Sequence, residues 1–81
     1  MDNNDLVNHP PHYTGFSNGS EVIDITENLN FNRGNAVKYL ARAGTKPAFG
    51  MSLGDAELQD LLKAQFYVNR EVERLSNARR P

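Results

Sequence analysis

No cysteine occurs in the 81 residues, which excludes a disulfide framework, a thiolate metal site and a thiol nucleophile, and leaves a small core without a covalent staple. Basic residues are not in excess either. Lys and Arg number 9 against 10 Asp and Glu, so counterion release gives no drive toward nonspecific nucleic-acid binding, and no nucleic-acid partner is expected. A long apolar run is also missing, and residues 1–5 are polar and acidic. Neither a signal peptide nor a membrane span is therefore expected, and the reading is a soluble intracellular protein. Neither Gly-Lys-Ser nor Gly-Lys-Thr occurs, which excludes a P-loop. The length allows one small domain that buries a modest fraction of its surface, so a homo-oligomer is expected.

What is present is helical periodicity around one stretch. Residues 33–44 read as a helix ended by Gly44, which suits the left-handed position after a last turn. Val37, Leu40 and Ala41 recur at helical spacing and are expected to be buried. Asn35, Lys38, Tyr39 and Arg42 fall at i, i+3, i+4 and i+7 on another side, an amide, an ammonium, a phenol and a guanidinium without a carboxylate among them. Clustered donors of this kind suit a phosphate or carboxylate. Single residues of such a set are equally at home on a solvated face.

Before it, Ser20 is read as the N-cap of a helix over residues 21–29, with Val22, Ile25 and Leu29 facing inward. Asn30, Phe31 and Asn32 connect the two helices, Phe31 plugging the core and Asn32 capping the central helix. Proline and glycine break regular structure over residues 45–54. Asp55 then caps a last helix over residues 56–77. Leu58, Leu61, Gln65, Val68, Val72 and Leu75 step by three and four along it, so this stripe is expected to pack throughout its length and to form the oligomer interface, with Gln65 its one polar interruption. Asp60, Lys63, Tyr67, Arg70 and Arg74 make a second, polar face.

The N-terminal region reads as a disordered segment, 1–7, followed by an extended arm. Pro10 and Pro11 hold His9 and Pro10 out of the helical region, and Tyr13 and Phe16 anchor the arm, which is expected to dock. His9 and His12 lie roughly 9 Å apart along a polyproline helix, and no zinc site is expected from them because zinc takes three or four convergent ligands. Asp24 and Asp60 are candidate Mg2+ ligands alongside nucleotide phosphates, although helix-dipole complementarity accounts for Asp24 equally well. The fold expected is all-α, a three-helix domain over residues 8–77 behind the arm, with a frayed tail at 78–81.

Five blocks occur in order: Asn8-His9-Pro10-Pro11-His12-Tyr13, Glu21-Val22-Ile23-Asp24, the run from Gly34 to Gly44, Asp60-Leu61-Leu62-Lys63-Ala64, and Tyr67 to Glu71. In these the chain resembles a short bacteriophage family that includes the coliphage nucleotide kinase lacking a P-loop. It departs from the usual pattern at Phe66, where tryptophan is common, at Leu62, where a second lysine is common, and in a longer loop over residues 45–54. The resemblance implies a nucleotide-binding protein in the cytoplasm of an infected bacterium. Phosphoryl transfer to deoxynucleoside monophosphates is the implied activity, with Mg2+ entering with the nucleotide. The expected site joins Asn35, Lys38, Tyr39 and Arg42 to Lys63 and Arg70, and Arg42→Ala is expected to weaken binding with little effect on folding. The competing reading is a non-enzymatic helical oligomer that binds a host protein or sequesters a nucleotide.

Overall fold

The structure, a computed structural model, describes residues 16–45 and 48–79. The motif His9-Pro10-Pro11-His12-Tyr13 and the expectation that its arm docks lie outside the described residues, as do the last two residues of the tail. Three helices follow one another without a strand among the described residues: α1 Val22–Thr26, α2 Phe31–Arg42 and α3 Leu53–Ala78. The all-α, three-helix architecture is as expected, and no helix of the described residues is long and apolar enough to cross a membrane.

Each helix begins one to three residues from its expected start, because a different polar side chain does the capping. For α1 the cap is Glu21, not Ser20, and the Asp24 carboxylate accepts from the Glu21 amide at 2.7 Å. The helix stops after five residues, since its β-branched run has little helical preference to extend it. Asn30, not Asn32, caps α2, its Oδ1 accepting from the Arg33 amide at 2.9 Å. Ser52, not Asp55, caps α3, its Oγ accepting from the Asp55 amide at 3.0 Å. Asp55 instead lies in the first turn, where its charge favours the positive end of the helix dipole.

Gly44 ends α2 as expected, in the left-handed region at φ +83°. A Cβ here would lie 3.1 Å from the Glu57 carboxylate. Gly44→Ala is therefore expected to destabilise the chain by about 1–2 kcal/mol. Gly54, by contrast, faces open space in the first turn of α3, and Gly54→Ala should stabilise by up to about 1 kcal/mol. Thermal melts of the two variants should move in opposite directions.

Packing reverses the expected assignment of faces. α2 runs antiparallel to α3, with its start beside Glu71 and its end beside Asp60. The buried positions of α3 are Ala56, Asp60, Ala64 and Glu71, and those of α2 are Gly34 and Ala36. Small side chains at the contact let the two backbones approach closely. Gly34 meets the last turn of α1, with the Thr26 carbonyl 3.4 Å from where a Cβ would stand. Of the expected core residues of α1, Val22 is buried while Ile25 is exposed. Leu40, expected inside, is 53% exposed, and Phe31, expected to plug the core, is 75% exposed. The stripe Leu58, Leu61, Val68, Val72 and Leu75, expected to pack, faces away from α2 and is exposed along its length. In its place α3 packs through Ala56, Asp60, Ala64 and Glu71, whose two charges find partners on Arg42, Asn30 and Arg33 that an apolar stripe would not offer.

Candidate functional site

Two carboxylates three helical turns apart on α3 fasten the ends of α2. At one end, Arg42 Nε and Nη2 both approach Asp60 Oδ1 at 3.1 Å, with the side chains 11% and 6% exposed. At the other end, Glu71 gathers donors from both helices. Asn30 Nδ2 donates to its Oε2 at 2.6 Å, Arg33 Nε lies 2.8 Å from the same oxygen, and Asn32 Nδ2 reaches Oε1 at 3.4 Å. Arg74, one turn further along α3, grips both oxygens at 2.8 and 3.1 Å. The Arg74 hydrogen bond and then the Asn30 amide hold the Glu71 carboxyl far below its ordinary range, against the opposing effect of desolvation. The same contact raises the Arg74 guanidinium. No buried side-chain nitrogen or oxygen among the described residues lacks a hydrogen-bond partner, as a stable polar interface requires.

Between these fastenings the rings of Tyr39 and Tyr67 stack, 5.9 Å apart and 8° from parallel. Three cations surround the Tyr39 ring: Lys38 Nζ at 4.7 Å from its centroid, Arg42 Cζ at 4.5 Å and Lys63 Nζ at 5.4 Å. Asp60 balances the charge of Arg42. Among the described residues neither Lys38 nor Lys63 has a carboxylate partner. Two ammonium groups from two helices thus approach one aromatic ring, and no carboxylate of the described residues pairs with either.

Open clefts flank this centre along α3. Toward the start of the helix, a cleft of ≈ 310 Å³ is lined by Lys63, Gln59, Arg42 and Asp60 and by Ala48 and Phe49 of the preceding loop. Toward its end, a groove of ≈ 660 Å³ is lined by Phe31, Phe66, Tyr67, Arg70 and Arg74. Phe31 and Phe66 both stand edge-on to the Tyr67 ring, so Tyr67 belongs to the cation centre and to the larger groove together.

The expected site residues divide accordingly. Lys38, Tyr39, Arg42 and Lys63 come together. Arg70 lines the larger groove, its guanidinium 4.0 Å from Glu73, and Asn35 turns its amide back to the Phe31 carbonyl at 3.0 Å. Of the candidate Mg2+ ligands, Asp24 caps α1 and Asp60 holds Arg42. No three His, Asp or Glu among the described residues converge on a point.

Residues 7–69 match the model of DUF3310, a family of proteins of unknown function. The chain belongs to this family. No curated protein and no solved structure matches it. The Tyr39 centre lies wholly within the DUF3310 match, as do Asn30, Phe31, Phe66 and Tyr67, whereas Arg70, Glu71 and Arg74 lie beyond it. The role of Glu71 escapes sequence reasoning because a lone acidic residue on a polar helix face reads as solvated. Its signal is spacing: Asp60 and Glu71 share one face of α3, and Asn30, Arg33 and Arg42 are set apart by a similar length on α2.

Proposed function

We propose that this chain binds a nucleotide, with the phosphates on Lys38 and Lys63 and the base against the Phe31, Phe66 and Tyr67 rings. The observation that carries the reading is the pair of ammonium groups on the Tyr39 ring that no carboxylate of the described residues neutralises. An anion placed between them gains charge-assisted hydrogen bonds without displacing a protein carboxylate. Arg70 in the same groove adds a further donor, and flat aromatic surfaces beside cations suit a base attached to a phosphate.

Clefts on both sides of the cation centre favour a second step on this reading, phosphoryl transfer between two nucleotides. The terminal phosphoryl of a nucleoside triphosphate passes to a phosphate oxygen of a deoxynucleoside monophosphate. One P–O bond breaks as another forms, and two diphosphates result. Lys38 and Lys63 would neutralise charge on the transferred group and hold donor and acceptor in line, which supplies most of what this chemistry needs from a protein.

Calorimetry with each deoxynucleoside mono- and triphosphate, in buffer containing Mg2+, tests binding. Lys38→Ala and Lys63→Ala should each lower affinity roughly ten- to hundredfold, corresponding to about 1.5–3 kcal/mol per charge-assisted contact, with melting temperatures unchanged. Chromatography of ATP with each monophosphate tests transfer. Binding without diphosphate formation leaves a nucleotide-binding protein that is not an enzyme. Absence of binding at millimolar nucleotide, or lysine variants that bind like the wild type, overturns the site and favours a host-protein partner.

A further inference from the structure

The side of α3 turned away from α2 has no covering element among the described residues, and its pattern is regular. Taking Leu58 as heptad position a, Gln65 and Val72 are the next two a positions, and Leu61, Val68 and Leu75 are the d positions. This 3-4 repeat persists for 18 residues inside one continuous helix. A repeat of 3.5 residues keeps a seam facing a single straight partner, which is the pattern of helix against helix along a shared axis. The stripe is roughly 26 Å long by helical rise. α2, the longest other described helix, has 12 residues and packs on a different face of α3, at Asp60 and Glu71.

The stripe is also distinguished by its charge. Its flank at Leu62, Asn69 and Ser76 is uncharged. On its other flank, at Glu57, Ala64 and Glu71, the Glu71 carboxylate is taken up by Asn30, Arg33 and Arg74, while Asp60, Lys63, Arg70 and Arg74 lie further round the helix. The apolar members Leu58, Leu61, Leu62, Val68, Val72 and Leu75 each keep 40–56% of their surface exposed. Together they form a patch on the order of 500 Å², at the upper end of what monomers leave in water.

We infer that this face is covered by α3 of a second copy of the chain, running parallel and in register. A second copy is the partner whose stripe matches in length, period and absence of charge, and a two-fold axis along the seam closes the assembly. Gln65 decides the direction. In a parallel pair a positions face a positions, so Gln65 meets Gln65 of the second copy and the two amides hydrogen-bond across the seam. In an antiparallel pair it faces Leu61 or Val68, and its amide is buried without a partner at a cost of about 1–3 kcal/mol. A single polar residue at an a position sets register and strand number in this way. Lys63 and Tyr67 stay on the outer side of each helix, so the dimer and the nucleotide site stand or fall separately.

Light scattering at micromolar to millimolar concentration should give twice the chain mass, and Leu61→Glu or Val72→Glu should give a helical monomer. Because the chain has no cysteine, Gln65→Cys introduces a single thiol. Two such residues facing each other across a parallel seam come near the Cα separation of about 5.5–6 Å that a disulfide requires, so mild oxidation should link the dimer quantitatively. Leu61→Cys, at a d position that also faces itself, is the second probe should Gln65→Cys fail to fold. A folded wild-type chain of monomer mass, a mass above the dimer, or a dimer in which neither thiol cross-links overturns the inference.

Discussion

Arg42→Ala is expected to lower the melting temperature by roughly 12–24 °C. The substitution leaves Asp60, whose side chain is 6% exposed, as a buried carboxylate without its cation. Breaking a buried pair from one side costs about 3 kcal/mol or more, because the remaining charge has been taken out of water for nothing, and for a domain of this size each kcal/mol is worth about 4–8 °C. The contact between the guanidinium and the Tyr39 ring is lost as well. The buried pair with Asp60 on α3 thus replaces the expectation that Arg42 can be removed with little effect on folding. Replacing both members, Arg42→Met with Asp60→Leu, should recover much of the loss, since apolar residues of similar volume bear burial without a partner. Thermal denaturation followed by circular dichroism measures all three, and a single variant that melts within two or so degrees of the wild type would show the pair to be idle. A loss of nucleotide affinity in Arg42→Ala consequently says little about ligand contact, and Lys38 and Lys63 are the better probes.

Acid should undo the other end of the same interface. Glu71 ionises far below its ordinary value of 4.5 because Arg74 and Asn30 bond its charged form. A carboxyl depressed on folding contributes its full stabilisation above the unfolded value and loses it as the pH falls toward the folded one. The melting temperature should therefore hold level near neutrality and decline between about pH 5 and pH 2. Glu71→Gln should melt lower at neutral pH, since one amide oxygen cannot accept from Asn30, Arg33 and Arg74 together, and it should flatten the acid decline. A variant whose pH profile parallels that of the wild type would place the acid sensitivity elsewhere. Arg33 and Arg74 are each about half exposed, so added salt should weaken the contribution in part.

The amino-acid sequence by itself determined that the protein is built of helices, where Gly44 ends the central one, and that Lys38, Tyr39 and Arg42 share a side of it. Those outcomes follow from the 3.6-residue period and from glycine's freedom at positive φ, both of which act within a few residues. The caps at Glu21, Asn30 and Ser52 were less legible, because neighbouring polar residues compete for the same free amides and only the approach of the next helix decides among them. Which face of α3 packs was not legible at all. An apolar stripe and a polar face both fit a helix that buries one side, and the choice rested on partners far away in sequence: Arg42 for Asp60, and Asn30 with Arg33 for Glu71. Likewise the meeting of Lys38 and Lys63 on one ring depends on α2 and α3 lying antiparallel at close range. That range is set by small residues such as Ala36, Ala56 and Ala64, whose importance lies in what they leave room for, and so only the tertiary structure decided it.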